Sequence, residues 1–222
     1  MTEVPFAAVP DPTGARGIVA NGYDQIADRY QDWTRSHDPT RAWFVEEVIA
    51  RVPSGSDVVE LGMGSGGRVT EELEKRYRYI GIDLSPVQVS LARECLPGRD
   101  FRTADLVTLE LPESSRDAVI AAYVMGHIPV SDRDGLFGRI SRWLRPHGWF
   151  CAAFPIGDRP GEDIEPNWLG APMFFASLPW ERESRLLQGA GFSIDRAVVM
   201  TDDEDGRPVA FRWVFARLVR PT

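Results

Sequence analysis

A glycine-rich stretch is the part of this sequence best suited to bind a ligand. The run VVELGMGSGG, residues 58–67, places Gly62, Gly64, Gly66 and Gly67 directly after an apolar segment. Because glycine has no Cβ, such a loop brings the main chain close to a ligand. The spacing of Gly62, Gly64 and Gly67 also satisfies G-x-G-x-x-G, a motif found in dinucleotide-binding enzymes. The alternative is a tight turn that only requires positive φ angles.

Acidic residues recur at regular distances from this loop. Asp83 lies 23 residues after Glu60, and Asp105 lies 22 residues after Asp83. A carboxylate at the end of the second strand of such a fold accepts both hydroxyls of a ribose. Asp105 is placed to accept a hydrogen bond from an exocyclic amine, such as that of adenine. Each acid alone is more often a surface residue or a helix cap, but the three together favour a nucleotide-like ligand.

The elements that must position these residues alternate between strands and helices. Near-continuous apolar strands separated by helices predict a parallel sheet covered on both faces. Strands are expected at 57–61, 79–83, within 100–106, at 117–125 and at 148–155. Helices are expected at about 67–76 and 131–144, with a further helix capped by Ser85 and opened by Pro86. Two runs, 191–201 and 208–219, predict a closing antiparallel hairpin.

The length of 222 residues fits a single domain, residues 1–222. Residues 1–20 are expected to form a loose N-terminal arm. Residues 21–52 are expected to form two helices, the first beginning at about Gly22 and the second covering about 39–51. Residues 156–179 interrupt the alternation, and a connection of that length is typical of a functional loop.

Composition disfavours several classes of protein. The net charge is −8 and the sequence contains no Lys/Arg cluster, so a nucleic-acid partner is not expected. No apolar run approaches the ~20 residues of a membrane span, and the N-terminus does not resemble a signal peptide. Cys95 and Cys151 match no metal spacing and are expected to be reduced thiols. We therefore expect a cytoplasmic protein with no metal site.

Several motifs resemble, in order, those of class I S-adenosylmethionine-dependent methyltransferases of the small bacterial, single-domain type. They are VVELGMGSG, YIGIDLS, ADL, DAVIAAYVMGHIP and LRPHGWF, preceded by GYDQIADRYQDW, which is similar to the YD-x-IA-x-x-Y opening of these proteins. The resemblance covers about residues 21–220. It implies a Rossmann-like, doubly wound α/β fold whose seven-stranded sheet has the order 3-2-1-4-5-7-6, with an antiparallel last strand. It also implies S-adenosyl-L-methionine as cofactor and S-adenosyl-L-homocysteine as product.

The same resemblance implies a set of cofactor-binding residues. The methionine part of the cofactor maps to the glycine loop, the ribose to Asp83 and the adenine side to Asp105. The sequence departs from the family pattern at Met63, where a smaller or polar residue is common. The implied residues are Tyr23, Tyr30, Glu60, Gly62, Gly64, Gly66, Asp83, Leu84, Ala104, Asp105, Leu106 and Tyr123.

His127 is the candidate catalytic residue, because it follows the fourth strand near the expected position of the methyl group. An oxygen nucleophile must lose a proton, and histidine is the usual base for that step. Three roles are open for His127: general base, hydrogen bonding to the substrate, and a structural or capping contact. His37 is expected in a loop, and His147 at the far, solvent-exposed end of the sheet.

The segment 156–179 is expected to cap the acceptor. Its larger apolar residues either line an aromatic pocket or pack on the core under a surface loop. Tyr23 and Tyr30 either fill the core of a lid helix or direct hydroxyls at the cofactor carboxylate, and the resemblance favours the second role for at least one. The candidate acceptor residues are His127, Trp168, Met173, Phe174 and Phe175.

The leading functional hypothesis is a methyltransferase that acts on a small molecule by in-line transfer, with secondary metabolism as the expected setting. Methyl transfer from a sulfonium depends largely on alignment of the nucleophile. One alternative is a non-catalytic protein that binds S-adenosylmethionine. Another is an NAD(P)-dependent oxidoreductase, which would usually need a substrate domain or a Tyr-x-x-x-Lys-like pair. The acceptor and the oligomeric state are left open, because fold does not specify chemistry.

Overall fold

Strands and helices alternate along the chain in the computed structural model, which describes residues 14–36, 38–157, 160–204 and 207–219. The strands are β1 (Asp57–Leu61), β2 (Arg78–Asp83), β3 (Phe101–Thr103), β4 (Arg116–Ala121), β5 (Leu144–Ile156), β6 (Gly161–Trp168), β7 (Ala171–Ser177), β8 (Phe192–Glu204) and β9 (Arg207–Leu218). The helices are α1 (Ala15–Ser36), α2 (Asp38–Arg51), α3 (Arg68–Glu74), α4 (Pro86–Cys95), α5 (Arg133–Trp143) and α6 (Trp180–Gly189).

A seven-stranded sheet with the order β3-β2-β1-β4-β5-β9-β8 forms the centre of the fold. The strands from β3 to β5 pair in parallel, with Val59 of β1 opposite both Ile80 of β2 and Val119 of β4. Strand β9 runs antiparallel to both of its neighbours, β5 and β8. The predicted order 3-2-1-4-5-7-6 is confirmed, because β6 and β7 form a separate two-stranded sheet.

Both faces of the sheet are buried, as the parallel-sheet prediction required. Successive side chains of a strand point to opposite faces. Val58 therefore packs in the layer that holds Phe44 of α2 and Leu73 of α3. Val59 packs in the opposite layer, beside Phe137 of α5. The two layers fix the sheet between α2 and α3 on one side and α5 and α6 on the other.

Helix α1 begins at Ala15, earlier than the predicted start at Gly22. Residues 15–20 are therefore helical, which corrects the prediction of a loose arm over 1–20. Residues 1–13 and His37 lie outside the described residues. Gly22 lies inside this helix, and a Cβ there would be 2.7 Å from the Pro172 carbonyl oxygen and 2.8 Å from Cε of Met173. The glycine permits α1 to approach β7 closely, so it marks a packing contact rather than a helix end.

The sequence predicted that β4 would continue to residue 125, but the strand ends at Ala121. Tyr123 has a φ of 61°, a left-handed conformation that cannot continue a strand. A 3-10 turn at Met125–His127 follows, and a second at Val130–Asp132 precedes α5.

The predicted cap of α4 is confirmed, since Ser85 Oγ accepts a hydrogen bond from the Gln88 amide. Helix α6 was not predicted.

The segment 156–179 contains an antiparallel hairpin, β6 and β7, in which Ile164 pairs with Phe174. Leu169 and Gly170 have φ angles of 48° and 94° and form its turn. The outer strand β6 is almost entirely exposed, whereas β7 is largely buried against α1. Across the ranges that the structure describes, we find no helix with both the length and the apolar character of a membrane span.

Candidate functional site

A cavity lies between α1 and the carboxyl ends of β1, β2 and β4. Ten of the predicted site residues line it: Tyr23, Tyr30, Gly62, Gly64, Asp83, Leu84, Asp105, Leu106, Tyr123 and His127. The wall also contains Arg16, Val19, Ala20, Ser85, Val107, Ala122, Val124 and Ile128, none of which was predicted as a site residue. Residues far apart in the sequence thus meet at one edge of the sheet, as strand ends in a doubly wound fold do.

The glycine loop forms a turn that requires positive φ angles at three positions. Gly62, Gly64 and Gly66 have φ angles of 70°, 60° and 79°. A Cβ on Gly62 would lie 2.5 Å from Cβ of Val124, so that position has no room for a side chain. A Cβ on Gly64 would have more space, with its nearest neighbours 3.8 Å away. Gly64 therefore leaves open space beside the cavity.

Asp83 ties the glycine loop to the end of β2. Its Oδ2 accepts a hydrogen bond from the Gly64 amide at 2.8 Å, and its Oδ1 accepts one from the Ser85 amide at 2.9 Å. Burial raises the pKa of this carboxyl, although the backbone donors oppose that rise. A carboxylate offers about four acceptor positions. The Leu84 amide also acts on this carboxyl, so acceptor capacity remains for at least one hydroxyl donor from a ligand.

Asp105 follows β3 and also lines the cavity. Its Oδ1 accepts a hydrogen bond from the Val107 amide at 2.9 Å. Its Oδ2 forms an ion pair at 2.5 Å with Nη1 of Arg16 on α1. Ala104 is predicted beside the adenine and does not line the cavity, but its amide donates to the Asp83 carbonyl at 2.9 Å. The structure thus links the two predicted acids through the backbone.

Glu60 and Gly66 line a second, larger cavity, which shares Gly62 and Gly64 of the glycine loop with the first. Glu60 Oε2 accepts hydrogen bonds from Thr70 at 2.8 Å and from Tyr79 at 2.5 Å. Burial raises the pKa of the Glu60 carboxyl to about 7 despite these donors. Glu60 is therefore poised between its charged and neutral forms near neutral pH.

His127 connects three separate elements. Its Nδ1 lies 2.9 Å from the Phe174 carbonyl of β7, and its Nε2 lies 2.8 Å from the phenol oxygen of Tyr23 on α1. A carbonyl only accepts, so Nδ1 carries the proton and Nε2 accepts from Tyr23. Burial lowers the pKa of His127 to about 4. The imidazole is therefore neutral at pH 7, and its basic nitrogen is already engaged by a phenol.

Buried polar contacts hold the turn that carries His127. Arg133 is fully buried and its guanidinium donates to the carbonyls of Met125 and Ala176 at 2.9 and 2.8 Å. The same group pairs with Glu183 of α6 at 2.6 Å. One guanidinium therefore joins the turn after β4, the strand β7 and the helix α6.

Tyr30 and Tyr123 border both cavities. The Tyr30 ring meets the Tyr23 ring edge-on, with 5.0 Å between centroids. The Tyr123 ring lies 4.4 Å from Cζ of Arg41, and its hydroxyl lies 3.3 Å from Oδ2 of Asp202. Burial raises the pKa of Tyr23 and Tyr123, so both phenols stay protonated.

The aromatic residues of the hairpin pack against α1 and do not line the first cavity in the described part of the chain. Met173 is fully buried. The Trp168 ring contacts Tyr23 and Phe175 at centroid distances of 5.8 and 5.6 Å. These contacts favour the packing alternative for Met173, whereas half-buried Trp168 and Phe175 keep part of their surface available. Phe174 contributes its carbonyl to His127.

Arg16 and Arg41 are the most informative residues that the sequence did not identify. Arg16 lies seven positions before Tyr23 on α1, hence on the same helix face. Extending the helical pattern past Gly22 would have found it. Arg41 carried no such signal, because its approach to Tyr123 joins α2 to the turn after β4 and depends on the tertiary fold.

Comparisons with known proteins agree with this arrangement. A family model described as a methyltransferase domain matches residues 59–152. A "Probable S-adenosylmethionine-dependent methyltransferase" of Mycolicibacterium smegmatis is 30% identical over 165 residues, which are 73% of this chain and 60% of that protein. A trans-aconitate 2-methyltransferase of Methylobacterium nodulans is 34% identical over 145 residues, 63% of this chain and 55% of that protein. The chain thus spans less than two thirds of the length of these curated relatives.

A solved structure extends the likeness of the fold to nearly the whole chain. The 1,6-didemethyltoxoflavin-N1-methyltransferase of Burkholderia thailandensis superposes with a TM-score of 0.70 and 17% identity. The match covers 99% of this chain and 94% of that chain. That crystal structure contains 1,6-didemethyltoxoflavin and S-adenosylhomocysteine. At this identity the likeness establishes the fold alone.

Proposed function

Because this chain belongs to the class I S-adenosylmethionine-dependent methyltransferases, we propose that it transfers the methyl group of S-adenosylmethionine to a small-molecule acceptor. The products are S-adenosylhomocysteine and the methylated acceptor. One observation carries this proposal: the glycine loop, Asp83 and Asp105 line a single cavity closed by α1. Membership of this family argues against the alternative hypothesis of an NAD(P)-dependent oxidoreductase.

The chemistry of the cavity wall fits this cofactor. Asp83 retains acceptor capacity for a ribose hydroxyl, and Asp105 retains it for the adenine amine. Gly64 leaves room that a side chain would fill. The aromatic rings of Tyr23, Tyr30 and Tyr123 suit a cationic sulfonium, because ring faces attract positive charge. When bound, S-adenosylmethionine supplies an activated methyl group for in-line displacement by the acceptor.

In this proposal, α1 is a lid and the β6–β7 hairpin is a cap. The lid is attached to the nucleotide end through Arg16 and Asp105, and to the cap through Tyr23 and His127. A closed lid excludes water and holds the reacting groups in line, which supplies much of the rate in a displacement of this kind. The residues that close the cavity therefore contribute to catalysis by positioning.

We assign His127 to positioning rather than to proton abstraction. Its pKa of about 4 lies far below pH 7, and an efficient general base has a pKa near the working pH. Its Nε2 is engaged by Tyr23, so the lid would have to move before an acceptor could reach this nitrogen. The nucleophile of the acceptor then loses its proton to another group or to solvent.

A small-molecule acceptor is supported by two of the similar proteins, whose names specify trans-aconitate and 1,6-didemethyltoxoflavin. The exposed portions of Trp168 and Phe175 in the cap remain candidates for contact with it. Secondary metabolism is our proposed setting. The acceptor atom, whether oxygen, nitrogen or carbon, is not part of the proposal.

Calorimetric titration of the protein with S-adenosylhomocysteine tests the first step. We expect saturable binding, and no binding of NADH at the same concentrations. Transfer of a radiolabelled methyl group to a panel of small acids and heteroaromatic amines, beginning with trans-aconitate, tests the second step. Absence of S-adenosylhomocysteine binding by the folded protein would overturn the proposal. Binding without transfer to any member of a broad panel would favour the non-catalytic alternative.

A further inference from the structure

One face of α1 covers the first cavity. The residues of this helix that line the space follow one another with helical spacing: Arg16, Val19, Ala20 and Tyr23. Residues spaced by three, four or seven positions project from the same side of a helix. Tyr23 bonds to His127, whereas Arg16 bonds to Asp105, so this face contacts the sheet edge at two separate points. Arg16 is therefore the part of the lid that meets the residue expected beside the adenine.

Arg16 and Asp105 present a donor and an acceptor side by side in this cavity. Nη1 of Arg16 lies 2.5 Å from Oδ2 of Asp105, and both residues line the space. The Asp105 side chain is 5% exposed, whereas that of Arg16 is 37% exposed. The Val107 amide holds Oδ1 of Asp105 at 2.9 Å and fixes the orientation of the carboxylate. The acceptor is thus anchored to the sheet edge, and the donor comes from the lid.

The ion pair leaves both groups able to bind a ligand. A guanidinium carries five N–H groups, and Arg16 uses one of them on Asp105 within the part of the chain that the structure describes. A carboxylate has about four acceptor positions. Arg16 and the Val107 amide occupy two of those of Asp105 among the described contacts. The pair can therefore accept one further hydrogen bond and donate another at neighbouring atoms.

Adenine carries the complementary pair of groups on one edge. Its exocyclic amine donates and the nearby ring nitrogen N7 accepts, which is the combination that Asn and Gln side chains recognise in DNA. The ring nitrogen on the other flank of the amine, N1, is also an acceptor. An Asp–Arg pair offers the same combination with charged groups, which form stronger hydrogen bonds than neutral ones. The apolar side chains of Leu106, Val107 and Ile128 in the same wall suit the flat base.

We propose that Arg16 is a specificity-determining residue that donates a hydrogen bond to the ring nitrogen beside the adenine amine, while Asp105 accepts from the amine. One side chain of the lid then recognises the base and holds the lid closed over it. A base without that ring nitrogen leaves Arg16 bonded to Asp105 alone. This inference rests on the proposed function, because it requires the adenine end of the cofactor at Asp105.

Calorimetric titration with S-adenosylhomocysteine and its 7-deaza and 1-deaza analogues tests this contact. Each analogue replaces one of the two ring nitrogens that flank the amine with carbon. Wild type should bind one of the analogues about tenfold or more weakly than S-adenosylhomocysteine, because a charge-assisted hydrogen bond is lost. Arg16→Met has no donor and should bind that analogue and S-adenosylhomocysteine equally, within twofold. Two changes that remove the same hydrogen bond do not add, so the comparison isolates the contact.

Arg139 on α5 provides the matched control for loss of a nearby positive charge. Its guanidinium donates to the Leu106 carbonyl, next to Asp105 in the chain, at 3.4 Å, and Arg139 lies outside the described lining of the first cavity. Arg139→Met should therefore keep the full difference between the analogue and S-adenosylhomocysteine. Arg16→Lys retains a charged donor and should recover part of that difference. Melting curves of each variant monitor folding.

The inference is overturned if wild type binds both analogues as tightly as S-adenosylhomocysteine. It is equally overturned if Arg16→Met loses affinity for all three ligands by the same factor, because Arg16 then stabilises the lid without contacting the base. Unchanged affinities in Arg16→Met overturn it as well. Failure of the folded wild type to bind S-adenosylhomocysteine contradicts the proposed function instead, so the two failures are distinguishable.

Discussion

The phenol of Tyr23 donates a hydrogen bond to Nε2 of His127 across 2.8 Å, and this contact joins the first helix to the turn after the fourth strand. The opposite nitrogen of the same ring bonds to the Phe174 carbonyl of the hairpin. One neutral imidazole therefore holds the lid, the sheet edge and the cap together. The neutral state of His127 is needed for both of these hydrogen bonds, because one ring nitrogen donates and the other accepts.

The first prediction concerns stability in mild acid. The pKa of His127 is lowered from 6.5 to about 4 in the folded state. Between these values the unfolded chain binds a proton that the folded chain excludes, so this group makes stability fall as pH falls from 6.5 towards 4. The full effect is roughly 3 kcal/mol. Urea unfolding of wild type and His127→Gln at pH 7 and pH 5 should show a smaller decrease in the variant. Equal decreases would contradict the buried neutral state.

Glu60 should produce the opposite dependence on pH. Burial raises its pKa from 4.5 to about 7, so the folded chain holds a proton that the unfolded chain has released. This group therefore makes stability fall as pH rises from 4.5 to 7, by an amount on the order of 3 kcal/mol. Replacing the carboxyl in Glu60→Gln should flatten that slope, because the amide does not titrate. Unfolding free energies at pH 5 and pH 8 check the result, and an unchanged slope would argue for a normal pKa.

Gly64→Ala should separate binding from folding. The positive φ of 60° costs an alanine about 1 kcal/mol of stability, while its methyl group occupies space beside the cavity. Gly98 has a similar φ of 78°, and a Cβ added to it would have no atom within 4 Å, so Gly98→Ala carries the strain without the obstruction. We expect similar melting temperatures for the two variants, and S-adenosylhomocysteine binding lost only in Gly64→Ala. Retained affinity in Gly64→Ala would show that the loop is only a turn.

Asp83→Asn should weaken S-adenosylhomocysteine binding by roughly 1.5–3 kcal/mol, because a charged acceptor for a ribose hydroxyl becomes a neutral amide. The variant should also lose some stability, since the Gly64 and Ser85 amides bond to this carboxylate. Asp100→Asn removes an exposed acid that pairs only with Arg102 among the described residues, and it should bind normally. Calorimetry on both folded variants provides the comparison. Unaltered affinity in Asp83→Asn would remove Asp83 from the ribose site.

The elements that the sequence predicted correctly are those whose signal is local. The apolar run at 57–61 forms β1, and Asp83 ends β2 as expected, because continuous apolar runs and the residues that end them are visible in a short window. Because the carboxyl ends of neighbouring parallel strands meet at one edge of the sheet, these strand positions alone predict that Asp83 lies close to the glycine loop. The same applies to Ser85, whose capping role depends on the residues immediately after it.

The errors involve contacts between distant segments. Gly22 was interpreted as a helix start, although it lies within α1 at the point where β7 approaches the helix closely. The end of β4 was placed too late: Tyr123 has a positive φ and packs against Phe211 and Trp213 of β9, which lie far along the chain. The ion pair of Arg16 with Asp105 spans 89 positions, and no local pattern indicates such a partner.

The position of β9 between β5 and β8 constrains how a growing chain acquires this fold. β8 is synthesised before β9, yet its partner in the sheet is β9 and not β5. While the chain emerges from the ribosome, β8 has no strand of its own sheet to join, and one edge of β5 stays uncovered. Pairing of β9 covers both at once, through registers that run from Trp149 to Ile156 on β5 and from Phe192 to Glu204 on β8. An interruption of synthesis before β9 would leave two long, unpaired strand edges, which are the features that promote aggregation of nascent proteins.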